Sequence, residues 1–514
     1  MGLRSWAAIA AGLMLAAATG SAQAGDTVKV AQGTIHGATD GSVTSFKGVP
    51  FAAPPVGDLR WKPPTSPAAW SGVREATRFG PACMQMTRAR AGAPPMEQSE
   101  DCLSLNVWTP ATAKPGAKLP VMVWIHGGAF ILGTGGTPFY DGTHFAERGA
   151  VMVTVNYRLG RLGFFAHPAI SAEGGPLGSY GLMDNIAALK WVKANIAQFG
   201  GAPGNVTIFG ESAGGILVNF LMAAPDARGL FQKAISQSGF GRSNGVPIRG
   251  EGRTGEGMGG AYAIKAGITG SGPEAAKALR ALSAQQLSEP VSGLTDPAIP
   301  SPIVDGVLLK EGPELAFAGG RQAKVPYIAG GTSYEASLFP QAAQAPDIFL
   351  ARAGALKDQL LAAYGGDKAA AANDLMTESM VTEPDRYLAR LHAKAGQKAW
   401  LYHFSYLPAA QRGKVHGLAH GGEIAYVFGN LPTAPVVMGP VTIPAATAED
   451  RQVSDAAITS WVNFARTGDP GENWPAFSAG ETVLEFGVDG VHPRPNFRKE
   501  SLDLVEQMAA SGGQ

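Results

Sequence analysis

A series of short, strongly apolar runs separated by longer helical patterns constrains this chain more than any other feature. The runs fall at 105–109, 121–126, 151–157, 206–209, 234–238, 325–330 and 399–404. Val151-Met152-Val153-Thr154-Val155 lacks the in–out alternation of a half-exposed strand. That pattern is expected where helices cover both faces of a sheet. Between the runs, 182–196 places Ile186, Leu189 and Val192 on one helical face, and 214–223 and 451–466 read the same way. Strands alternating with helices predict an α/β fold with a large, mainly parallel sheet flanked by helices.

The remaining segments decorate that plan. Runs 28–35 and 43–49 predict a small antiparallel sheet at the N-terminal side. The glycine-rich stretch 240–260 reads as an irregular excursion over the sheet edge. Segments 261–320 and 341–395 are alanine-rich and helical, expected as insertions capping the strand ends. Neither a repeat nor a low-complexity linker is visible, so residues 25–514 read as one domain.

Residues 1–24 read as a signal peptide. Arg4 supplies the positive region, 6–18 the apolar core, and Ala22-Gln23-Ala24 a small-residue cleavage site. The apolar stretch is too short and too rich in alanine to span a bilayer well. No second arginine follows Arg4, so a twin-arginine signal is not supported. An exported, periplasmic or secreted protein is expected. Its two cysteines, Cys83 and Cys102, then read as a disulfide rather than as two separate buried thiols. Neither lies in a metal-binding spacing, and no metal or organic cofactor is expected. Acidic and basic residues number 41 each, which leaves no field to attract nucleic acid or an anionic membrane.

Gly210-Glu211-Ser212-Ala213-Gly214 is a GxSxG. Alone it is weak, because 69 glycines generate such patterns by chance. Gly241-Arg242-Ser243-Asn244-Gly245 is a second copy. Context favours Ser212: the first copy follows the run 206–209 and precedes a helix, giving the strand–turn–helix elbow that exposes a nucleophile. Pro247 argues against a helix after Ser243. His126-Gly127-Gly128-Ala129-Phe130 follows another predicted strand. Its glycine pair can turn backbone amides toward one point and, with the amide of Ala213, form an oxyanion hole.

With these residues in view, the chain resembles the type-B carboxylesterase family, which includes para-nitrobenzyl esterases, liver carboxylesterases and cholinesterases. The run from Phe199 through Ser212 to Gly214 is similar to the family's serine signature. Glu100-Asp101-Cys102-Leu103-Ser104-Leu105-Asn106-Val107 is similar to its cysteine signature. The likeness runs from about Thr27 to Phe477. It implies the α/β-hydrolase fold, a Cys83–Cys102 bridge, and oxyanion donors at Gly128, Ala129 and Ala213. Ala202 and Ser104 depart from the usual Asp and Tyr, which puts a local ion pair or hydrogen bond in doubt but not the activity.

Chain order in this fold is nucleophile, acid, histidine. His420 lies between glycines in a loop after the last aromatic run and matches the family's histidine motif; His416 is the reserve, and His403 reads as core. Glu335 follows the run 325–330 and also matches the family, whereas Asp305 before Gly306 reads as a turn residue. Ser238 is expected either to hydrogen-bond near the triad, as its family match does, or to sit in a strand-end turn. The expected reaction is ester hydrolysis through an acyl-enzyme, with activity rising between pH 5 and 8 as His420 becomes neutral. No tryptophan lies in 84–101, which argues against a choline ester. Phe130, Phe240 and Phe339 are as expected in the core as in a pocket. An apolar pocket would favour uncharged esters of modest size, bulky ones included, with lipase-like and thioester substrates left open.

Overall fold

A computed structural model describes residues 26–86, 96–289, 298–438, 441–478 and 480–511. The segment read as a signal peptide lies outside the described residues. Among the described residues no helix is long and apolar enough to cross a membrane.

Eleven strands form the main sheet: β1 Ala38–Asp40, β2 Val43–Pro50, β3 Ser104–Pro110, β4 Leu119–Ile125, β5 Val151–Val155, β6 Gly201–Glu211, β7 Lys233–Gln237, β8 Tyr327–Thr332, β9 Ala399–Phe404, β10 Val483–Gly487 and β11 Gly490–Arg494. Their order across the sheet is β11-β10-β9-β8-β7-β6-β4-β5-β3-β2-β1. From β10 to β5 all neighbours are parallel. The remaining pairs, β10–β11 at one end and β5–β3, β3–β2 and β2–β1 at the other, are antiparallel.

The unbroken apolar runs are explained by two cores, one on each face. In β4, Val121, Val123 and Ile125 enter one core while Met122 and Trp124 enter the other. Side chains alternate in direction along a strand, so a strand buried twice must be apolar at every position. Helix α1 (Tyr180–Asn195) lays Leu182, Ile186, Leu189 and Val192 on the first core, joined by α2 (Ala213–Ala223). Helix α3 (Ala448–Thr467) lays Val453, Ile458, Trp461 and Phe464 on the second.

The α/β-hydrolase plan is the one the sequence predicts, with local differences. Residues 28–35 do not pair with 43–49. They split into a hairpin, Thr27–Val30 with Gly33–His36, which pairs with Val73–Glu75, whereas β2 joins the main sheet beside β3. The stretch 240–260 is not irregular throughout, because a helix, Gly255–Lys265, begins inside it. Its start is set by the Thr254 hydroxyl, which accepts the Gly257 amide at 3.1 Å and outweighs the low helix propensity of the glycines. Helix α3 begins before residue 451 because Thr447 and Asp450 form a capping box. Segment 341–395 is helical as expected, ending in Lys368–Thr377, a π-helical turn Glu378–Thr382 and Glu383–Lys394.

Cys83 and Cys102 are bonded to each other and buried at the edge of the first core. The bridge closes a loop with a sequence separation of 19. Restricting that loop in the unfolded chain is worth about 3 kcal/mol. Replacing both cysteines by alanine is expected to lower unfolding stability by that amount, read as an earlier urea midpoint. An unchanged midpoint would show that the bridge restrains little.

Candidate active site

The parallel strands deliver the site residues to one place because their carboxyl ends lie side by side. The loop at 126–130 follows β4, Ser212 follows β6, Ser238 follows β7, Glu335 follows β8, and His420 follows β9. Such carboxyl ends are where open α/β sheets gather their chemistry.

Ser212 has φ 57° and ψ −124°, between the last residue of β6 and the first of α2. A non-glycine residue holds such a conformation only where its surroundings enforce it. The flanking glycines supply the room. A Cβ on Gly214 would lie 2.0 Å from the Ile125 carbonyl oxygen, and one on Gly210 would lie 2.6 Å from the same atom. The loop after β4 is seated on this elbow, since a Cβ on Gly127 would lie 3.0 Å from that of Ser212. Gly128, Ala129 and Phe130 follow with φ of 108°, 53° and 62°. The amide of Ala213 opens α2, where a helix supplies no carbonyl partner. His126 anchors the loop: its ring stacks on Tyr157 at 4.5 Å, and burial lowers its pKa to about 4 despite a hydrogen bond with the Gly127 carbonyl.

Glu335 is fully buried. Its Oε1 accepts from the Thr332 amide at 2.7 Å, the Thr332 hydroxyl at 3.0 Å and the Ser238 hydroxyl at 2.6 Å. Its Oε2 meets Nδ1 of His420. Burial alone would raise its pKa, but the His420 charge and these donors hold it below the usual carboxylate range. The His420 loop is fixed by its own amide on Ser337 Oγ at 2.9 Å and by the Leu418 amide on Ser333 Oγ at 2.9 Å. Thus Ser238 is both a strand-end residue and a hydrogen-bond donor to Glu335.

Two carboxylates escaped the sequence reading. Nε2 of His420 lies 3.0 Å from Oε1 of Glu211, the residue before Ser212. The two atoms are close but not aligned as a hydrogen bond, so the contact is electrostatic. Glu423 is also buried, accepting from Gln237 Nε2 at 3.1 Å. Burial first, then neighbouring carboxylates, raises Glu211 to about 7 and Glu423 to about 8, with His420 opposing the rise at Glu211. For His420, burial lowers the pKa, but Glu211 and Glu335 outweigh it and hold the ring above its ordinary 6.5. This moves the expected titration upward from the pH 5–8 window. The signal in the sequence was position alone: an acid beside the serine and another three residues after the histidine.

The alternatives lie elsewhere or serve other roles. Asp305 accepts the amides of Leu177, Val307 and Leu309, as a turn residue does. His416 pairs with Asp374 at 3.3 Å. His403 is buried in β9 against Phe497, its pKa lowered to about 4 chiefly by burial. Ser243 lies in a turn after Phe240 that leads to the short strand Val246–Pro247, not to a helix. Phe240 stands edge-on to the His420 ring at 6.2 Å, and Phe130 packs in the first core.

The profile of the Carboxylesterase family matches residues 24–361 and 351–505. The chain belongs to that family. This carboxylesterase is 38% identical over 483 residues to fumonisin B1 esterase of Sphingopyxis macrogoltabida, covering 90% of this chain and 87% of that one. It is 35% identical over 471 residues to para-nitrobenzyl esterase of Bacillus subtilis (strain 168), covering 87% and 91%. A solved PNB esterase superposes with a TM-score of 0.80 at 31% identity, covering 94% of this chain and 99% of that one. The carboxylesterase is a carboxylic ester hydrolase of the serine type.

Replacing Glu211 by Gln is expected to lower the His420 pKa, because a carboxylate 3.0 Å away favours the charged ring. An NMR titration of the imidazole reads this directly. An unmoved or raised value would dismiss Glu211 as the cause.

Proposed function

We propose that Ser212 is the nucleophile of this esterase, His420 its general base and Glu335 the acid that orients the base. The observation carrying this reading is the Glu335–His420 hydrogen bond, on a ring whose Nε2 lies 3.0 Å from Glu211, the residue before a serine held at φ 57° on an elbow. His420 takes the Ser212 proton as Oγ attacks the ester carbonyl, then returns it to the leaving alcohol. Water repeats the cycle on the acyl-enzyme. Nδ1–H stays on Glu335, which fixes the tautomer and stabilises the imidazolium. The amides of Gly128, Ala129 and Ala213 receive the oxyanion, and each such donor is typically worth about 3 kcal/mol of barrier. Ser238 holds the carboxylate that holds the ring. Residues 25–514 are read as a single catalytic domain, exported after removal of residues 1–24. The buried disulfide supports export, since such bonds persist in oxidising compartments.

Ser212→Ala is expected to abolish hydrolysis of a short-chain nitrophenyl ester and covalent labelling by a fluorophosphonate, while Ser243→Ala keeps both. Labelling that persists in Ser212→Ala would refute the assignment. The rate should rise with pH, because only the neutral ring is a base, and the raised pKa of His420 places that rise above 6.5. Glu211→Gln should move it to lower pH in a kcat/KM profile; a shift to higher pH would contradict the electrostatic argument.

A further inference from the structure

A cavity of about 380 Å³ opens next to the elbow. Ile216, one helical turn beyond Ser212, and Phe240, edge-on to His420, are among its lining residues. Met376 and Met380 line its wall, with Met380 contributed by the π-helical turn Glu378–Thr382. π-turns bulge a helix and redirect its side chains, and they recur at functional sites. Such a wall accepts a flexible aliphatic chain, because thioethers adapt their shape.

Two arginines also line the cavity, and they differ. Arg242 is neutralised: its guanidinium is forked onto Glu383, with Nε to Oε2 at 2.8 Å, and also reaches Glu314 at 3.0 Å. Arg386, Arg390 and Arg498, on neighbouring helices, likewise each have carboxylate partners. Arg352 has no carboxylate within ion-pair distance among the described residues. Its guanidinium lies over the Phe349 ring at 5.0 Å, and Nη1 lies 3.8 Å from Met376 Sδ. Arg352 is exposed to solvent as well as lining the cavity. A cation held against an aromatic face and a thioether is oriented by them and keeps its remaining donors for an anion.

We propose that the cavity is a substrate-arm subsite for esters whose distal end carries a carboxylate, and that Arg352 selects that end. The arm runs along the methionine wall from the scissile carbonyl at Ser212, and the carboxylate meets the guanidinium. This departs from the expectation of uncharged esters of modest size, because the lining is mostly apolar and Arg352 stands in it without a carboxylate partner among the described residues. The proposal rests on Ser212 being the nucleophile.

The test compares esters matched in length. Monoethyl adipate against ethyl hexanoate probes the acyl arm, and 5-acetoxypentanoate against pentyl acetate probes the alcohol arm, all followed by pH-stat. In one of the two pairs, Arg352→Gln is expected to lower the ratio of kcat/KM, anionic over neutral, by about tenfold or more, the scale of a lost charge-assisted hydrogen bond. The loss should lie in KM, and Arg352→Lys should recover part of it. Added salt should shrink the wild-type preference, since Arg352 is open to screening. Unchanged ratios in both pairs, or a change confined to kcat, would overturn the proposal. Ser212→Ala is run alongside: if it still hydrolyses the neutral esters, the nucleophile assignment falls, whatever the Arg352 ratios are.

Discussion

The hydrogen bond between Glu335 and His420 is the constraint around which the site is built. A carboxylate with no exposure is costly to ionise, and removing its partners would drive it to the neutral form. Here three donors on Oε1 and the imidazole on Oε2 keep it charged. Those donors come from the end of β8 and the residue after β7, and the imidazole from a loop pinned to residues flanking Glu335. The charge therefore ties three consecutive parallel crossovers together. Loosening any of them would leave an ion without its compensation, which is why the ring has one orientation.

The elbow depends on the same sheet by a steric route. Ser212 is held with positive φ because β6 must turn into α2 beside the end of β4, and Gly210 and Gly214 leave only enough space for backbone. The loop at 126–130 rests on that turn, so strain at the serine and placement of the facing amides share one origin. His126 contributes a ring stacked on Tyr157, and its burial disfavours a charge there beside the elbow.

Much of this was legible in the sequence, for identifiable reasons. The strands of the centre were visible because double burial demands apolar residues at every position. Ser212 stood out as the candidate nucleophile because its motif is contiguous, and the disulfide because the chain holds just two cysteines. Glu335 and His420 were singled out by order along the chain, a loop context and the family likeness, and the structure brings the two into hydrogen-bond contact. Glu211 and Glu423 were missed because their meaning lies in burial and in neighbours distant along the chain, and their positions beside the serine and the histidine were the only local signal. The destination of 43–49 was misread because apolar alternation specifies a strand but not its neighbour. The helix Gly255–Lys265 starts earlier than the helical segment expected from 261, because a single hydroxyl cap outweighed the glycines that argued against it. Arg352 carried no signal at all until its lack of an acidic partner among the described residues was seen in space.

The two ends of the sheet have a further consequence. The strand at one end, β1, is three residues long with every residue exposed, and at the other β11 carries Pro493, which pairs with Leu484 and has no amide proton to offer. A wide sheet with free margins invites strand addition from a second copy, the route by which secreted proteins assemble into cross-β fibres. In this chain one margin is too short to template growth and the other is interrupted by an imino acid. The lamella therefore stops at eleven strands, and its crowded, doubly buried centre can be as apolar as catalysis needs without making the molecule adhesive at its rims.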